Sequence, residues 1–562
     1  MNTKTAADTA AIQPEAVKRS LFAPLREPNF RRIWIASLFS SFGQLILGVG
    51  AAWEMTQLTG SASMVALVQT AMMLPLMLVA LPAGAVADMF DRRKIALTGL
   101  GFSIVASATL TGFAFAGMAT PWMLLLFCVL IGAGVALYSP SWQASIGEQV
   151  SEEHLPSAIG LGTISQNLAR SFGPAIGGLI MLTLGAKAAF AITAIFYIPL
   201  WLSFYAWQRK HKPSRLPPER IDRAIASGGR YVRHSPPIRT VLFRAFIFAT
   251  TCSATAALGP LVAKELLGGN AGIYGLLLGV QGAGAVLGAL MMGEVRQRFS
   301  TETVVRGCTV ATAIALVTVG LSTSLTLTCL ALFVGGGLNI VSFAQLNVCV
   351  QLTAPRWVTA RALSLYSSAL TGGVAIGSWM WGAVAAHTDV SSAFVASGIA
   401  VSCTLILALF FPLPRTEDEF TESVELGGEV QVALALTMRS GPIVVEVEYD
   451  VDPEQARDFY SALMNLEKVR KRIGAFDWSI SRDIANPAIW TERYMCPTWG
   501  DYLRMRDRYT QADLDAQELV DTYNRTFGGR NVHRRLARPY GSVRWKADSP
   551  DVYRGTVDYI GP

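Results

Sequence analysis

The segment Gly84-A-V-A-Asp88-M-F-Asp91-Arg92-Arg93-Lys94 sets two carboxylates beside three cations within eleven residues, between two long apolar runs. Such a cluster can form an ion-pair network with two arrangements. Gly84 lets a neighbouring helix come close, Asp88 can meet a helix N-terminus or a basic partner, and the cations hold the loop at a membrane surface. A loop that is merely rich in positive charge accounts for the same residues without any switch. Both readings stand on the residues alone.

A second set consists of small residues and one proline: Gly160, Ala169, Gly173-Pro174 and Gly177-Gly178. Small side chains allow helices to pack closely, and Pro174 removes an internal hydrogen bond and bends its helix. Polar groups inside apolar runs form a third set, because they are costly in lipid. They are Gln44, Gln69, Gln166, Asn167 and Arg170, then Gln281, Asn339, Gln345 and Asn347, with Glu54 near the end of the first run. Arg170 is the most expensive of them. Interhelical packing explains each amide as well as substrate contact does.

The elements that must position these groups are membrane helices. Of 562 residues, 52% are hydrophobic and 15% charged, and mean hydropathy is +0.38. The charge divides unevenly: residues 1–414 carry 27 basic and 15 acidic side chains, and residues 415–562 carry 20 and 25. An apolar run of about 20 residues crosses a bilayer. Such runs recur at 33–55, 63–86, 95–117, 121–143, 158–183 and 187–207. They resume at 240–263, 271–293, 303–321, 325–347, 363–385 and 391–411. Twelve transmembrane helices in two halves are expected.

Arg and Lys concentrate on the N-terminal side of the bundle (Arg31, Arg32, Arg92, Arg93, Lys94, Arg296, Arg298, Arg306, Arg361), while the opposite loops hold Lys187 and Lys264. This bias places both termini in the cytoplasm. The domains expected are a tail (1–28), a first half (29–208), a basic, proline-containing linker (209–239), a second half (240–414), a linker (415–441), a soluble domain (442–540) and a final tail (541–562).

In the soluble part, Ile443–Tyr449 alternates with period two and reads as a strand. Asp452-Pro453-Glu454 opens a helix to about Arg472, Ala475–Asp483 and Ala488–Cys496 read as strands, and Thr498–Arg506 and Asp513–Tyr523 read as helices. The order β-α-β-β-α implies a small α+β sheet with helices on one face. The basic excess sits in membrane loops, so nucleic acid is not an expected partner. No G-x-x-x-x-G-K-[ST] loop, H-E-x-x-H or G-x-S-x-G turn occurs, which excludes those routes to ATP hydrolysis and hydrolytic catalysis. No metal or cofactor is called for. Six of seven cysteines lie in apolar stretches and none has C-x-x-C spacing.

The Gly84–Arg93 segment resembles the cytoplasmic loop signature of the major facilitator superfamily, G-x-x-x-D-R-x-G-R-R, departing from it at Met89 and Asp91. Its D-x-x-D-R-R form is similar to the drug and siderophore exporter branch, the transmembrane secretion effectors. The Gly160–Gly178 set resembles the antiporter signature G-x8-G-x3-G-P-x2-G-G, with Ala169 at its second glycine. The 442–540 segment resembles antibiotic-biosynthesis-monooxygenase domains of ferredoxin-like fold, which pair into dimers.

These resemblances imply a multi-pass exporter of the inner membrane that moves small amphipathic molecules by alternating access, with H⁺ as coupling ion. They imply a cytoplasmic gate at Gly84, Asp88, Asp91, Arg92 and Arg93, and a helix-five bend at Gly173, Pro174, Gly177 and Gly178. Candidate substrate or coupling groups are Gln44, Glu54, Asn167, Arg170, Gln281, Asn339 and Asn347, with Trp53, Trp142 and Trp379 lining the cavity. Self-association through the soluble domain is a further expectation. Uptake on the same fold and oxygenase chemistry in the tail are the alternatives.

Overall fold

The computed structural model describes residues 22–89, 91–207, 229–414, 432–434, 436–526 and 530–537. The side chains of residues 80–89 and of Asn167 are outside that set, so the gate candidates Gly84 and Asp88 and the candidate Asn167 lie outside the described residues.

The first half contains α1 (Pro28–Leu58), α2 (Ala62–Met89), α3 (Arg92–Phe115) and α4 (Pro121–Gln149), then one helical run, Leu155–Ala206. That run is broken at Gly185, whose φ of 76° and ψ of 177° suit a residue without a side chain. It therefore crosses twice, as α5 (155–184) and α6 (186–206). The second half contains α7 (Pro236–Leu266), α8 (Ala271–Arg298), α9 (Thr301–Leu321), α10 (Leu325–Thr353), α11 (Arg356–His387) and α12 (Val390–Phe410). Among the described residues, eleven apolar helical runs, one of them double, make the twelve spans expected.

Several starts are capped as their sequences suggest: Asp91 accepts from Arg93 N at 2.9 Å, Asn270 from Gly272 N at 3.0 Å, and Asp389 from Ser392 N at 2.8 Å. These helices are apolar on all sides because one face meets neighbours and another meets lipid. Val105, Leu290, Ile314 and Leu409 are among the large apolar side chains left exposed on the bundle.

The soluble domain contains β1 (Ile443–Asp450), α13 (Ala456–Ile473), β2 (Phe476–Arg482), β3 (Ile489–Cys496), α14 (Trp499–Arg506), α15 (Gln511–Asp521) and β4 (Asn531–Leu536). The sheet order is β2-β3-β1-β4 with every pair antiparallel. Ile443, Val445, Val447 and Tyr449 alternate inward and meet Phe459, Leu463 and Leu466 of α13. The fourth strand corrects the β-α-β-β-α expectation. Asn-Val-His-Arg-Arg-Leu holds three basic residues and gives little period-two signal, since only Val532 and Leu536 pack on the core. Its pairing with β1, Val447 opposite Val532, supplies the order that its composition hides.

Between sheet and helices lies a buried ion pair. Arg470 Nε donates to Glu492 Oε1 at 3.0 Å, with the two side chains 5% and 0% exposed. Trp478 Nε1 donates to Glu492 at 3.0 Å and Tyr449 Oη at 3.2 Å, while Arg470 donates to Gln517 at 2.6 Å and to Tyr509. Burial alone lowers the pKa of a guanidinium. Here Glu492, Tyr494 and Tyr509 outweigh that and hold Arg470 above its ordinary value. Trp478 and Trp490 are packed against this core. The domain sits on the face of the bundle where α1 begins, with Arg472 stacked 5.7 Å over Tyr231 just before α7. That face is called the domain face here, and the opposite one the distal face.

Removing one member of a fully buried pair leaves an uncompensated charge and costs about 3–5 kcal/mol. Arg470→Met is expected to speed amide hydrogen exchange across β3 in the full chain. Arg470→Met combined with Glu492→Leu is expected to recover most of the protection. Equal protection in wild type and Arg470→Met would show that the pair carries little of the domain's stability.

Candidate transport pathway

The two halves meet where small residues let backbones approach. On α5, a side-chain carbon at Gly173 would stand 3.0 Å from Leu45 of α1, and one at Gly177 would stand 3.2 Å from Val49. One at Gly178 would stand 2.0 Å from the Cα of Gly275 on α8, which no side chain can tolerate. The α2–α11 contact is similar, since a side-chain carbon at Gly382 would overlap Ala66, and Thr70 Oγ1 donates to Ala375 O at 2.8 Å. The Gly173, Gly177 and Gly178 positions singled out by spacing are thus the contact surfaces of α5 with α1 and with the second half.

Toward the distal face the junction is completed by Lys264 Nζ donating to Thr56 O at 2.5 Å and by Trp53 stacked on Tyr274 at 6.1 Å. Among the described residues, every hydrogen bond and ring stack between the halves lies in the distal half or near mid-depth. Sequence reasoning missed this seal. Its signal was Lys264-Glu265 in loops otherwise poor in charge, and Trp53 was expected in the cavity instead. Trp53 is 8% exposed and part of the seal, and Trp142 is buried against Gly162. Trp379 is exposed. The three tryptophans therefore do not share one cavity wall.

The helical period shows what α5 offers elsewhere. At about 100° per residue, with Gly173 as origin, Gly177 falls at about 40° and Gly178 at about 140°. Leu168, Phe172, Ile176 and Leu179 fall between about 220° and about 300° by the same rule, and all four are exposed, which marks the lipid side. Arg170 and Pro174 fall at about 60° and about 100°, between the α1 and α8 contacts and opposite lipid. Arg170 is exposed there although protein surrounds it. The α5 surface between the two halves therefore borders a cleft.

Of the remaining candidates, Gln44 and Glu54 are half-buried on α1. In the second half Gln281 is half-buried on α8, with its carbonyl against Gly336 of α10. Asn339 Oδ1 is buried with no hydrogen-bond partner among the described residues, and Asn347 accepts from Gln351 at 2.6 Å. Gln345 is 1% exposed.

The gate candidates whose side chains are described tie α3 to its neighbours within the first half. Asp91 caps α3, Arg92 donates to Glu148 at the end of α4 at 3.0 Å, and Arg93 donates to Phe204 O at 3.0 Å and Tyr205 O at 2.5 Å at the end of α6.

Two six-helix halves around a cleft, with close helix contacts between them, define a secondary transporter. A family model described as transmembrane secretion effector matches residues 19–540, and the chain belongs to that family, a branch of the major facilitator superfamily. The match spans the bundle and the soluble domain alike.

The chain is 27% identical over 408 residues to the enterobactin exporter EntS of Shigella boydii, covering 69% of this chain and 93% of that one. It is 24% identical over 360 residues to the uncharacterized MFS-type transporter YfiS of Bacillus subtilis, covering 62% and 84%. With the multidrug efflux pump Tap of Mycobacterium tuberculosis it shares 30% identity over 229 residues, spanning 38% of this chain and 53% of Tap. Among solved structures, a bacterial homologue of the lysosomal transporter Spinster in an inward-facing conformation aligns with TM-score 0.53 and 14% identity over 69% of this chain and 95% of that one. The nucleoside transporter NupG aligns with TM-score 0.54 and 12% identity, over 67% and 98%. These two show the fold.

The Gly178–Gly275 contact gives a direct prediction. Gly178→Leu is expected to part α5 from α8, so that a cysteine introduced by Tyr274→Cys becomes labelled by a membrane-impermeant maleimide added on the distal side. Without Gly178→Leu the same cysteine should stay protected. Equal labelling in the two backgrounds would show that this contact does not seal the distal face.

Proposed function

We propose that this chain exports small amphipathic molecules, such as a drug, a siderophore or a secondary metabolite, across the cytoplasmic membrane of a bacterium. The observation that carries the reading is the combination of a closed distal junction with an α5 surface that is still accessible beside it. With the domain face in the cytoplasm, as the Arg and Lys bias favours, the structure is the inward-open state of an alternating-access cycle. Substrate enters from the cytoplasm, the domain-face ends of the halves close, and the Gly178–Gly275 junction parts. The names of EntS and Tap support the outward direction.

In this reading Gly84, Asp88, Asp91, Arg92 and Arg93 form the cytoplasmic gate. The contacts of Arg92 and Arg93 make α3, α4 and α6 move as one body when Asp88 changes partner. H⁺ is the proposed coupling ion, and Glu54 and Asp88 are the carboxylates we assign to it. The soluble domain acts as an adaptor or self-association module. Its interior, where an oxygenase of this fold would need a cavity, is occupied by Arg470, Glu492 and their partners.

The test compares metabolites inside and outside cells with and without the gene, under normal and iron-limited growth. Export predicts a compound that accumulates inside and disappears from the medium on deletion. Loss of uptake instead would establish the importer reading. Asp88→Asn is expected to reproduce the deletion while the protein stays in the membrane at wild-type amount. Unchanged efflux in that variant would remove Asp88 from the gate.

A further inference from the structure

Every carboxylate within the twelve spans lies within about four residues of a helix end: Glu54, Asp88, Glu148, Glu265, Glu294 and Glu302. Those whose side chains are described sit where water or headgroups can reach them. The cations follow the same rule with two exceptions deeper than the second turn. Arg244, on α7, is neutralised by Glu302 at 2.6 Å and also donates to Phe411 O at 3.3 Å. Arg170 is the other, and it stands near the middle of α5, farther from a helix end than any other charge in the bundle.

Arg170 has neither an ion-pair nor a hydrogen-bond partner among the described residues, and no acidic side chain shares its depth. Its position on α5, opposite the lipid-facing Leu168, Phe172, Ile176 and Leu179, rules out relief by reaching a headgroup through lipid. The side chain is nevertheless exposed, and on this face of α5 the cleft is what it is exposed to. An arginine stays charged at any physiological pH, so it cannot escape the cost by losing its proton. A fixed positive charge between low-dielectric walls attracts anions and repels cations, and the planar guanidinium suits a carboxylate or another bidentate oxyanion.

We infer that Arg170 is the anion-recognition group of the cleft and that the substrate carries a negatively charged oxygen function, a carboxylate or comparable oxyanion, on an apolar body. The inference rests on the transporter reading and narrows its substrate class. The substrate supplies the counter-charge that the described residues do not, and cationic amphiphiles are discriminated against.

The test uses energised inside-out membrane vesicles bearing the full chain and two dyes built on one xanthene ring: fluorescein, an anion at neutral pH, and rhodamine 6G, a cation. Wild type is expected to accumulate fluorescein in clear preference to rhodamine 6G. Arg170→Gln should lower fluorescein accumulation tenfold or more, Arg170→Lys should keep most of it, and Arg170→Glu should shift preference toward the cation. Retention by Arg170→Lys, with equal amounts of each variant in the membrane, separates charge recognition from misfolding.

Rhodamine 6G accumulated equally by wild type and Arg170→Gln, without fluorescein, would overturn the anion site and leave the transporter reading standing. Equal fluorescein accumulation in those two proteins would overturn it as well. If neither dye accumulates, transport of such compounds fails and the site is judged by fluorescein binding to the purified full chain in nanodiscs. Binding at least tenfold weaker in Arg170→Gln upholds the site, and equal binding overturns it.

Discussion

Close approach of α5 to α8 at Gly178 and Gly275 is the constraint on which the architecture depends. Inside a bilayer, apolar transfer does not hold helices together, because lipid is as apolar as the side chains. Shape must do it, and backbones can touch only where side chains are absent. A carbon added at Gly178 would overlap Gly275, and one at Gly382 would overlap Ala66. These contacts join two halves that are each held by their own glycine seams, such as Gly99 against the Gly134 carbonyl in the first and Gly284 against that of Phe333 in the second. The junction between halves is formed by short contacts and a few polar ties. Such a junction can open without disturbing the packing within either half.

The soluble domain is built on the opposite logic. Water surrounds it, so α13 is amphipathic and β1 alternates, and one buried ion pair is kept inside by a complete shell of Trp478, Tyr449, Tyr509 and Gln517. The outer face of the sheet is charged, with Glu446 paired to Arg535 and in reach of Arg493 at 4.0 Å. Arg472, which also pairs with Asp513, stacks over Tyr231 and so links this domain to the segment joining the halves.

The membrane fold was legible because it depends on apolar run length, and even the α5–α6 break is marked by Gly185 in the loop-like Leu-Gly-Ala-Lys. β4 was not legible, since an edge strand whose Arg534 and Arg535 bind Tyr502 and Glu446 does not resemble a strand until β1 is beside it. The site divides in the same way. Gly173, Gly177 and Gly178 were found by spacing, because helix contacts recur at fixed intervals along one chain segment. Their partners Leu45, Val49 and Gly275 were not, since they come from other helices. The distal seal was missed for that reason: Lys264 bonds a backbone carbonyl of α1, and no side-chain pattern announces such a bond.

The claim at the centre of this account is that the halves rock about the α5–α8 and α2–α11 junctions. It is tested most directly by two distances measured with spin labels in nanodiscs. One pair, at Gly60 and Thr323, spans the distal ends of the halves, and the other, at Lys94 and Arg298, spans the domain-face ends. Under conditions that drive transport, the account predicts that the distal distance lengthens while the domain-face distance shortens. Distances that stay fixed, or that lengthen together, would contradict it.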